Sequence, residues 1–507
     1  MGEFEIRLHV ELGRRGRLLD ALDRRKLRQS TLSAIYFDTS DQLLARHRFA
    51  LRLRNEDGRW VQTLKGSRGR AGERLEHEVA VDLDPAFEGA EPAVPELDLD
   101  RHKHSEVGRR LQALLKRAAR PALAESCRTD VTRLRRLLST HGAVVELSLD
   151  EGEATAAGRS RPISELELEF KRDDPAGLYA LALDWQALQG LWIDPVSKFE
   201  RGALLLADSP FAPAAKAPPP PWGGKELRAL GGETMLRGMV ASCLAQILAN
   251  AGEIARGSPD AEHVHQLRVG LRRLRSAARG MKRFAARMPD GWEAAIKPVF
   301  AALGESRDRH VLSTSVTPAL QRAGAPVPDA VPPSPADAKA IRDLVRGAAF
   351  QGVLIRLMAF AGASSAGLDH ADDDSGLACL VRRLRKLARQ VARDARHFEQ
   401  LPFALQHRVR KRIKRLRYLA EFAAPAFHRR DVDAWLKRIA PAQDHLGKYI
   451  DDVQAGLRFA ALAPTEPGAR FALAWLRAQA ERSARASRKS LERLRRSKVF
   501  WVRARCA

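Results

Sequence analysis

The first two fifths of the chain alternate hydrophobic and polar residues with a period of two, which is typical of β-strands. Shorter helical patterns interrupt them near residues 18–27, 106–118 and 178–188. The clearest alternating segments are FEIRLHV, FALRLR, WVQTLK, RLEHEV, VVELSLD and ELELEF. Because alternation is expected where one face of an antiparallel sheet is polar, the pattern predicts an α+β domain.

The second part of the chain has the 3.6-residue period of helices and no alternating segments. A segment rich in proline and glycine, residues 208–225, precedes it and predicts a stiff linker. The sequence therefore predicts a domain over 1–207, a linker over 208–225 and an all-α domain over 226–507. The predicted helical segments are 235–251, 263–284, 341–360, 377–398, 405–422 and 471–494.

The helical part contains an internal repeat. The segment HQLRVGLRRLR, which begins at His265, recurs as HRVRKRIKRLR, which begins at His407. A Leu-Gly pair followed by an aspartate, with Asp308 in the first copy, recurs with Asp451 at nearly the same offset. Two motifs at one long offset predict a duplication, over about 226–330 and 340–507, and favour two similar bundles over a solenoid.

The net charge of +25 is unevenly distributed. Residues 1–207 carry 34 Lys and Arg and 34 Asp and Glu, so the whole excess lies in residues 208–507. A balanced half and a cationic half indicate two tasks, and the cationic half should attract a polyanion such as nucleic acid, a membrane surface or polyphosphate.

Charged residues are stacked along the faces of several predicted strands, because residues i and i+2 share a face. Solvent-facing strands often carry such charges, but clustered like charges on an open sheet are unfavourable. A sheet closed around a charged lumen accounts for the set, with carboxylates holding a hard divalent cation and Arg and Lys holding phosphate oxygens. The stacked groups are Glu3, Glu5 and Arg7; Arg52 and Arg54; Glu76 and Glu78; Glu146 and Asp150; and Glu165, Glu167 and Glu169.

The stretch Glu3-Phe-Glu5-Ile-Arg7 resembles the ExExK signature of the CYTH domain, the triphosphate tunnel metalloenzyme family. Other segments of residues 1–207 resemble the strands of that family in the same order. They are YFDT, LRLR, QTLK, RLEHE, Arg133, Glu146 to Gly152, ELELE, Ser197-Lys198 and Arg201-Gly202.

This resemblance implies an eight-stranded antiparallel β-tunnel with flanking helices that hydrolyses a triphosphate with Mg²⁺ or Mn²⁺. It implies Glu3, Glu5 and Arg7 as catalytic residues, and Glu3, Glu5, Glu167 and Glu169 as metal ligands, with Glu165, Glu76 and Glu78 as further candidates. The implied substrate-binding residues are Arg52, Arg54, Lys65, Arg133, Lys198 and Arg201, with Lys171 as an additional candidate. The signature lysine is Arg7 here, and arginine keeps the charge but does not transfer a proton.

In the helical part, basic residues repeat on one face of each copy, within about 80° on a helix of 3.6 residues per turn. Stacked like charges cost stability unless a polyanion neutralises them, although a solvated basic face partly paired with acids is the alternative. Asp308 and Asp451 are candidate internal partners. The repeated residues are His265, Arg268, Arg272 and Arg275, and then His407, Arg410, Lys414 and Arg417.

The repeated motifs of residues 226–507 resemble the CHAD domain, which implies two duplicated four-helix bundles that bind inorganic polyphosphate through these eight residues. The second copy has Lys448-Tyr449-Ile450 where the first has Glu305-Ser306-Arg307, so its binding should differ.

The sequence therefore predicts a metal-dependent inorganic triphosphatase, or a hydrolase of polyphosphate ends, coupled to polyphosphate binding. A non-catalytic polyphosphate-binding protein is the alternative, favoured by Arg7, and thiamine triphosphate and nucleotides stay open as substrates. The aromatic content of 6% argues against nucleic acid as the partner. No apolar run approaches the roughly 20 residues needed to span a bilayer, so no membrane partner is predicted. The four scattered cysteines favour the cytoplasm, and the CHAD resemblance implies polyphosphate granules; the oligomeric state is not predicted.

Overall fold

The structure is a computed structural model of the 507-residue chain, and it describes residues 4–67, 74–82, 94–326, 334–363, 375–464 and 467–502. The chain divides into two compact units. The first, which we call the sheet unit, contains Met1–Ala215, Leu248–Ser258 and Arg342–Ala363. The second, the helical unit, contains Lys216–Ile247, Pro259–Ile341 and Ser364–Ala507.

The sheet unit is built on an antiparallel sheet of nine strands within the described residues, in the order β5-β4-β3-β2-β6-β7-β8-β1-β9. The predicted antiparallel architecture is confirmed, but the predicted number of eight strands is wrong by one. The additional strand, β9, has only two residues, too few for a periodic pattern to reveal. The strands are β1 (Glu5–His9), β2 (Arg28–Asp38), β3 (Ala50–Glu56), β4 (Arg59–Ser67), β5 (Arg74–Val81), β6 (Ala124–Thr140), β7 (Ala143–Ala156), β8 (Arg159–Asp173) and β9 (Trp192–Ile193).

Three tight turns set the register of this sheet. The pairs Asp57-Gly58, His141-Gly142 and Ala157-Gly158 connect β3 to β4, β6 to β7 and β7 to β8, and both residues of each pair have positive φ. Two such residues form the hairpin turns whose twist matches that of the strands they join. Each turn thus fixes which side chains of its two strands lie on the same face.

The apolar side chains of the central strands form one face of the sheet. Leu8, Leu147, Leu149, Leu166 and Leu168 are each fully buried. The local helices cover sheet surfaces, as the sequence predicts, and each of them buries apolar side chains. These helices are α1 (Arg15–Ala21), α2 (Leu43–Arg46), α3 (Glu106–Arg117), α4 (Ala176–Gln189) and α5 (Lys198–Leu206).

The rest of the chain is helical in the described residues, and each of the six predicted helical segments is found as helix. Two long helices, α10 and α16, were not predicted, because a proline inside each of them, Pro298 and Pro441, interrupts the helical pattern. The duplication into two four-helix bundles stays a prediction. The helices are α6 (Gly224–Ala229), α7 (Gly232–Arg256), α8 (Ala261–Gly280), α9 (Lys282–Ala285), α10 (Trp292–Val311), α11 (Thr317–Arg322), α12 (Pro335–Arg346), α13 (Ala348–Gly362), α14 (Gly376–Arg396), α15 (Phe403–Ala423), α16 (Arg429–Leu462) and α17 (Pro467–Arg495).

Helix α7 is long and apolar enough to pass a length-and-hydropathy test for a membrane span, and α12 with α13 passes it as a bent pair. Most of the apolar window of α7, 72%, is buried inside the protein. A buried core helix has the same composition, so this feature is weak support for a membrane segment.

Candidate active site and basic pocket

The strand register places the predicted charged residues of the sheet unit on one face. On β1 and β8, Glu5 pairs with Glu169 and Arg7 pairs with Glu167. On β7 and β8, Asp150 pairs with Glu165. Directly opposed residues of an antiparallel pair point to the same side of the sheet. The charged face is thus continuous across β1, β8 and β7 and lies opposite the buried leucines.

Three carboxylates on this face form a compact cluster. The ligand atoms of Asp150, Glu165 and Glu167 all lie within 4.8 Å of one another. Asp150 and Glu165 are fully buried, whereas Glu167 keeps 17% of its side chain exposed. Clustered carboxylate oxygens are the donors that hard divalent cations prefer. The cluster therefore fits Mg²⁺ or Mn²⁺ by its donor chemistry.

Lys198 donates to this carboxylate cluster from the start of helix α5. Its Nζ lies 2.7 Å from Asp150 Oδ2 and 2.7 Å from Glu167 Oε1, and it also pairs with Glu165 Oε1. Helix α5 begins with a capping box, in which Ser197 and Glu200 bond reciprocally. This cap fixes the first turn of the helix and thereby aims the lysine at the carboxylates. A metal bound by all three carboxylates would have to displace this ammonium.

Two arginines complete the ring of cations around the cluster. Arg133 makes a bidentate pair with Asp150, at 2.7 and 2.6 Å, and also donates to Glu167 Oε2 at 2.6 Å. Arg201 donates to Glu165 Oε2 at 2.9 Å. The predicted phosphate ligands Arg133, Lys198 and Arg201 thus bind carboxylates in this structure.

The pKa values in the cluster follow from these pairs. Burial alone would raise the pKa of Glu167, but Lys198 and Arg133 outweigh it and lower that pKa well below the usual value. Burial opposes the charge of Lys198, yet Glu165, Glu167 and Asp150 raise its pKa. Glu167 is therefore a carboxylate at neutral pH, suited to hold a cation and poorly suited to accept a proton.

The other predicted metal ligands lie beside the cluster or outside the described residues. Glu5, Glu169 and Glu146 form one row across β1, β8 and β7. Lys171, an additional candidate from the sequence, pairs with Glu169 at 2.8 Å and with Glu146 at 3.5 Å. Glu3 lies outside the described residues. Asp150 was missing from the predicted ligands, although its i, i+4 spacing from Glu146 on one strand was the signal that could have found it.

A second group of cations lies on β3 and β4. Arg52 and Arg54 pair loosely with Glu78, at 3.9 and 3.6 Å, and Lys65 pairs with Glu76 at 3.0 Å. The register puts all five on the charged face. Burial lowers the pKa of Arg54 and neighbouring Arg52 adds to this. The structure thus brings three predicted substrate-binding residues together with Glu76 and Glu78, the two further candidate metal ligands.

The arginines of this second group have buried donors with no acceptor. The Nε atoms of Arg52 and Arg54 are buried and make no hydrogen bond to any described residue. An unsatisfied buried donor is costly, and an anionic oxygen satisfies it best. The observation fits a phosphate group between these side chains.

Arg7, which replaces the signature lysine, lies on β1 and is 8% exposed. It pairs with Glu5 at 3.4 Å and donates to the carbonyl oxygen of Pro195 at 3.2 Å. Burial opposes its charge, but Glu5, Glu165 and Glu167 raise its pKa. Arg7 therefore supplies a permanent charge and a hydrogen bond to the backbone after β9.

We expect Arg7→Lys to keep metal-dependent hydrolysis within about fivefold of the wild type, because the charge at this position is preserved. It should lower the free energy of unfolding by about 1 kcal/mol, since the bond to the Pro195 carbonyl is weakened. Steady-state kinetics and urea unfolding of Arg7→Lys and Arg7→Gln check this. Equal loss of activity in both variants would show that a positive charge at this position is not sufficient for activity.

The helical unit contains a basic pocket, which we define as the cavity of about 450 Å³ between α8, α10, α15 and α16. Seven of the eight predicted polyphosphate-binding residues line it. Further basic residues that the sequence analysis did not select also line it: Arg279, Arg307, Lys411 and Arg415. The seven are His265, Arg268, Arg272, Arg275, His407, Arg410 and Lys414.

The eighth predicted residue, Arg417, is not among the residues that line the basic pocket, and its part in polyphosphate binding stays a prediction. Its guanidinium pairs with Glu421 at 2.9 Å and donates to Gln443 at 3.4 Å. Helix α15 therefore directs Arg417 towards its own next turn and towards α16. Arg415, two residues earlier, takes a place in the pocket instead.

Cations in the basic pocket outnumber its acids and repel one another. Burial and the nearby Arg272 and Arg410 lower the pKa of Lys414 well below its usual value. Burial and Arg272 lower the pKa of Arg268 to about 10. The ring of Phe300 supports Arg268, Arg272 and Arg275, with distances of 5.3 to 5.9 Å from its centroid. A bound polyanion would relieve this repulsion.

The two aspartates predicted as internal partners behave differently. Asp451 lines the basic pocket and accepts from Arg410 at 3.3 Å. Asp308 also lines it and pairs with Arg458, at 3.9 Å. The Nε atoms of Arg268 and Arg410 are buried without an acceptor among the described residues. The two acids thus leave donors available to a ligand.

Comparison with family models defines the class of domain for each part of the chain. The model of the CYTH domain matches residues 1–203, and the model of the CHAD domain matches residues 238–460. The chain therefore has a CYTH domain followed by a CHAD domain, as the sequence resemblances predict.

Among curated proteins, the chain is similar to an inorganic triphosphatase of Haemophilus influenzae, with 26% identity over 176 residues. That match covers 34% of this chain and 46% of the relative, so the chain spans about half the length of the curated relative it matches.

Two solved structures are also similar to parts of the chain. One is the CHAD domain from the plant Ricinus communis, with 25% identity and a TM-score of 0.39, covering 52% of this chain and 93% of that one. The other is a putative adenylyl cyclase from Hippeastrum with a dominant triphosphatase activity, with 23% identity and a TM-score of 0.29, covering 42% of this chain and 98% of that one.

Proposed function

We propose that this protein hydrolyses inorganic triphosphate, or the ends of polyphosphate chains, with Mg²⁺ or Mn²⁺, and that its basic pocket binds inorganic polyphosphate. The observation that carries the first part is that one face of the sheet bears both an acidic cluster and a separate group of cations. The acidic cluster has three carboxylates, and the cations include arginines whose buried Nε donors have no acceptor among the described residues. A polyanionic substrate with a bound divalent cation needs both halves of this arrangement.

In the proposed reaction Arg52, Arg54 and Lys65 bind the phosphate oxygens and orient the chain. Asp150, Glu165 and Glu167 would hold the metal, which when bound neutralises phosphate charge and lowers the pKa of a coordinated water. Arg133 keeps Asp150 and Glu167 directed towards each other. The cations around the cluster stabilise negative charge that builds on the leaving phosphate.

The closest competing proposal is a protein that binds polyphosphate without hydrolysing it. The observation that favours it is Lys198, whose ammonium already neutralises the three carboxylates. If Lys198 cannot be displaced, no metal enters and the charged face only holds phosphate.

The substrate assignment is tested by phosphate release from inorganic triphosphate, long-chain polyphosphate, thiamine triphosphate and ATP, each with Mg²⁺, with Mn²⁺ and with EDTA. We expect the highest kcat/KM for inorganic triphosphate and no phosphate release with EDTA. A higher kcat/KM for ATP or thiamine triphosphate would replace the proposed substrate.

For the basic pocket, we propose inorganic polyphosphate as the ligand and the cytoplasm, at polyphosphate granules, as the location. The support is a cavity lined by many cations and few acids, in which buried arginine donors have no acceptor from the described part of the chain. Retention of long-chain polyphosphate in competition with single-stranded DNA and RNA tests this proposal. Preferred retention of nucleic acid would contradict it.

Binding of long-chain polyphosphate should tighten about 3- to 10-fold as the pH falls from about 8 to about 6. Burial, then the nearby cations Arg307 and Arg272, lower the pKa of His265, although Glu262 opposes them. Burial, then Lys411, Arg410, Lys414 and Arg272, lower the pKa of His407. Phosphate favours the charged imidazole, so binding takes up protons.

The measurement is the dissociation constant against pH at constant ionic strength, with long chains so that internal phosphates stay ionised. The double variant His265→Gln/His407→Gln should have a flatter profile. Tighter binding at high pH would contradict the assignment.

A further inference from the structure

Two segments that follow the proline-rich linker belong to the sheet unit. They are Leu248–Ser258, which includes the end of α7, and Arg342–Ala363, which includes α13. Asn250 is fully buried and exchanges two hydrogen bonds with the backbone of Ala215, at 3.1 and 2.9 Å. These helical segments are thus an integral part of the fold that carries the carboxylate cluster.

The segments hold the short strand β9 from its outer side. The backbone N–H of Ile193 donates to Gln351 Oε1 at 2.9 Å, and Gln351 is 1% exposed. A Cβ at Gly252 would lie 2.7 Å from Cδ of Pro195, so α7 approaches as closely as glycine permits. The strand and the residues after it are therefore clamped against the sheet.

A chain of buried, alternating charges runs from these segments to the cluster. Arg256, on α7, pairs with Glu253 at 2.6 Å and with Asp194 at 3.8 Å. Arg201 pairs with Asp194 at 3.0 Å and with Glu165 at 2.9 Å. Asp194 and Glu165 are both fully buried. Each charge thus fixes the position of the next.

The two oxygens of Glu165 have different partners. Its Oε2 accepts from Arg201, and its Oε1 points to Lys198 within the carboxylate cluster. Arg201 thereby holds Glu165 in the orientation that presents Oε1 to a cation. Groups that orient a metal ligand from behind commonly change metal affinity by about 10- to 100-fold when removed.

We propose that Arg256 is a positioning residue for the carboxylate cluster and acts through Asp194 and Arg201 on Glu165. This inference rests on the proposed function, because it assumes that the cluster holds a divalent metal. Without Arg256, Arg201 is the cation that still pairs with the buried Asp194, which draws that guanidinium away from Glu165. Glu165 then pairs more tightly with Lys198, the group a metal must displace.

The sign of the effect separates this proposal from simple charge removal. Loss of a positive charge near the cluster should by itself tighten the binding of a cation. Loss of a positioning group should weaken it, by about 10-fold. Arg256→Gln removes both at once, so weaker binding identifies positioning as the larger effect.

The experiment titrates Mn²⁺ into the full-length protein without substrate and follows binding by calorimetry. We expect Arg256→Gln to raise the Mn²⁺ dissociation constant about 10-fold and Arg256→Lys to stay within about threefold of the wild type. Arg356→Gln is the matched control, because it removes the same charge from the same unit at an exposed position on α13. It should leave Mn²⁺ binding unchanged.

A second variant, Gln351→Met, removes no charge and leaves the N–H of Ile193 without its acceptor. It should weaken Mn²⁺ binding about threefold or more. If thermal melting shows that Arg256→Gln does not fold, this variant tests the proposal in its place. Wild-type affinity in every folded variant would overturn the proposed role of Arg256. Absence of Mn²⁺ binding by the wild type would instead overturn the metal site, and this inference with it.

Discussion

Glu167→Gln should lower metal-dependent hydrolysis of inorganic triphosphate by at least about 100-fold. Glu167 is both a ligand that the sequence predicts and a member of the structural cluster. The amide removes a charge that Lys198 and Arg133 hold ionised, as the lowered pKa of Glu167 shows. A cation at the cluster then loses one of its anionic donors, and several kcal/mol of charge stabilisation are lost with it.

The control for this variant is Glu153→Gln, which removes an exposed carboxylate from the neighbouring strand β7. It should keep activity within about twofold. Measurements at increasing Mg²⁺ concentration distinguish weak metal binding, which excess metal restores, from a failure of the chemical step. Full activity of Glu167→Gln would exclude the cluster as the metal site.

The double variant Arg272→Gln/Lys414→Met should bind long-chain polyphosphate at least about 100-fold more weakly and yet unfold at a higher temperature. Both residues line the basic pocket. Binding weakens because two phosphate-binding charges are lost and fewer counterions are released, so the dependence of affinity on salt should also decrease.

The expected gain in stability follows from the sign of the pKa shift of Lys414. Its pKa in the folded protein is well below the usual value. Folding therefore favours loss of a proton, and below the unfolded pKa the charged lysine costs stability, increasingly as the pH falls towards the folded pKa. Methionine removes that cost at neutral pH. A lower melting temperature of the double variant would show that the acids of the pocket already compensate its cations in the wild type.

Arg417→Gln is the matched control for the basic pocket. It lies on the same helix as Lys414 and was predicted from the repeat, but its side chain pairs with Glu421 outside the pocket. We expect its polyphosphate affinity to stay within about threefold of the wild type. A loss as large as that of the double variant would support the repeat pattern over the observed geometry.

Much of the sheet unit could be predicted because alternation along a strand has direct physical meaning. Residues such as Glu165 and Glu167 share a face in any strand, and the register then joins them to Arg7 and Asp150. The partners within that face could not be predicted. Whether Arg133 binds a phosphate or Asp150 depends on cross-strand pairing, which no single strand records.

The helical residues show the same limit. The i, i+3, i+7 spacing predicts that Arg268 and Arg272 share a helix face, and both line one cavity. Arg417 belongs to the same repeat but does not line that cavity, because a side chain near the edge of a helix face can pair with its own helix instead. No pattern in the sequence indicates that Arg256 and Gln351 belong to the sheet unit. Their contacts with Asp194 and Ile193, which are more than 50 residues away along the chain, arise only in the folded protein.

The most direct test of the account measures phosphate release from inorganic triphosphate by the full-length protein with Mg²⁺, with Mn²⁺ and with EDTA, beside Glu5→Ala. We predict release with at least one metal, no release with EDTA and little release from Glu5→Ala, because Glu5 lies on the charged face with the cluster. No release with either metal, from protein that still retains long-chain polyphosphate, would contradict the hydrolase and leave a polyphosphate-binding protein.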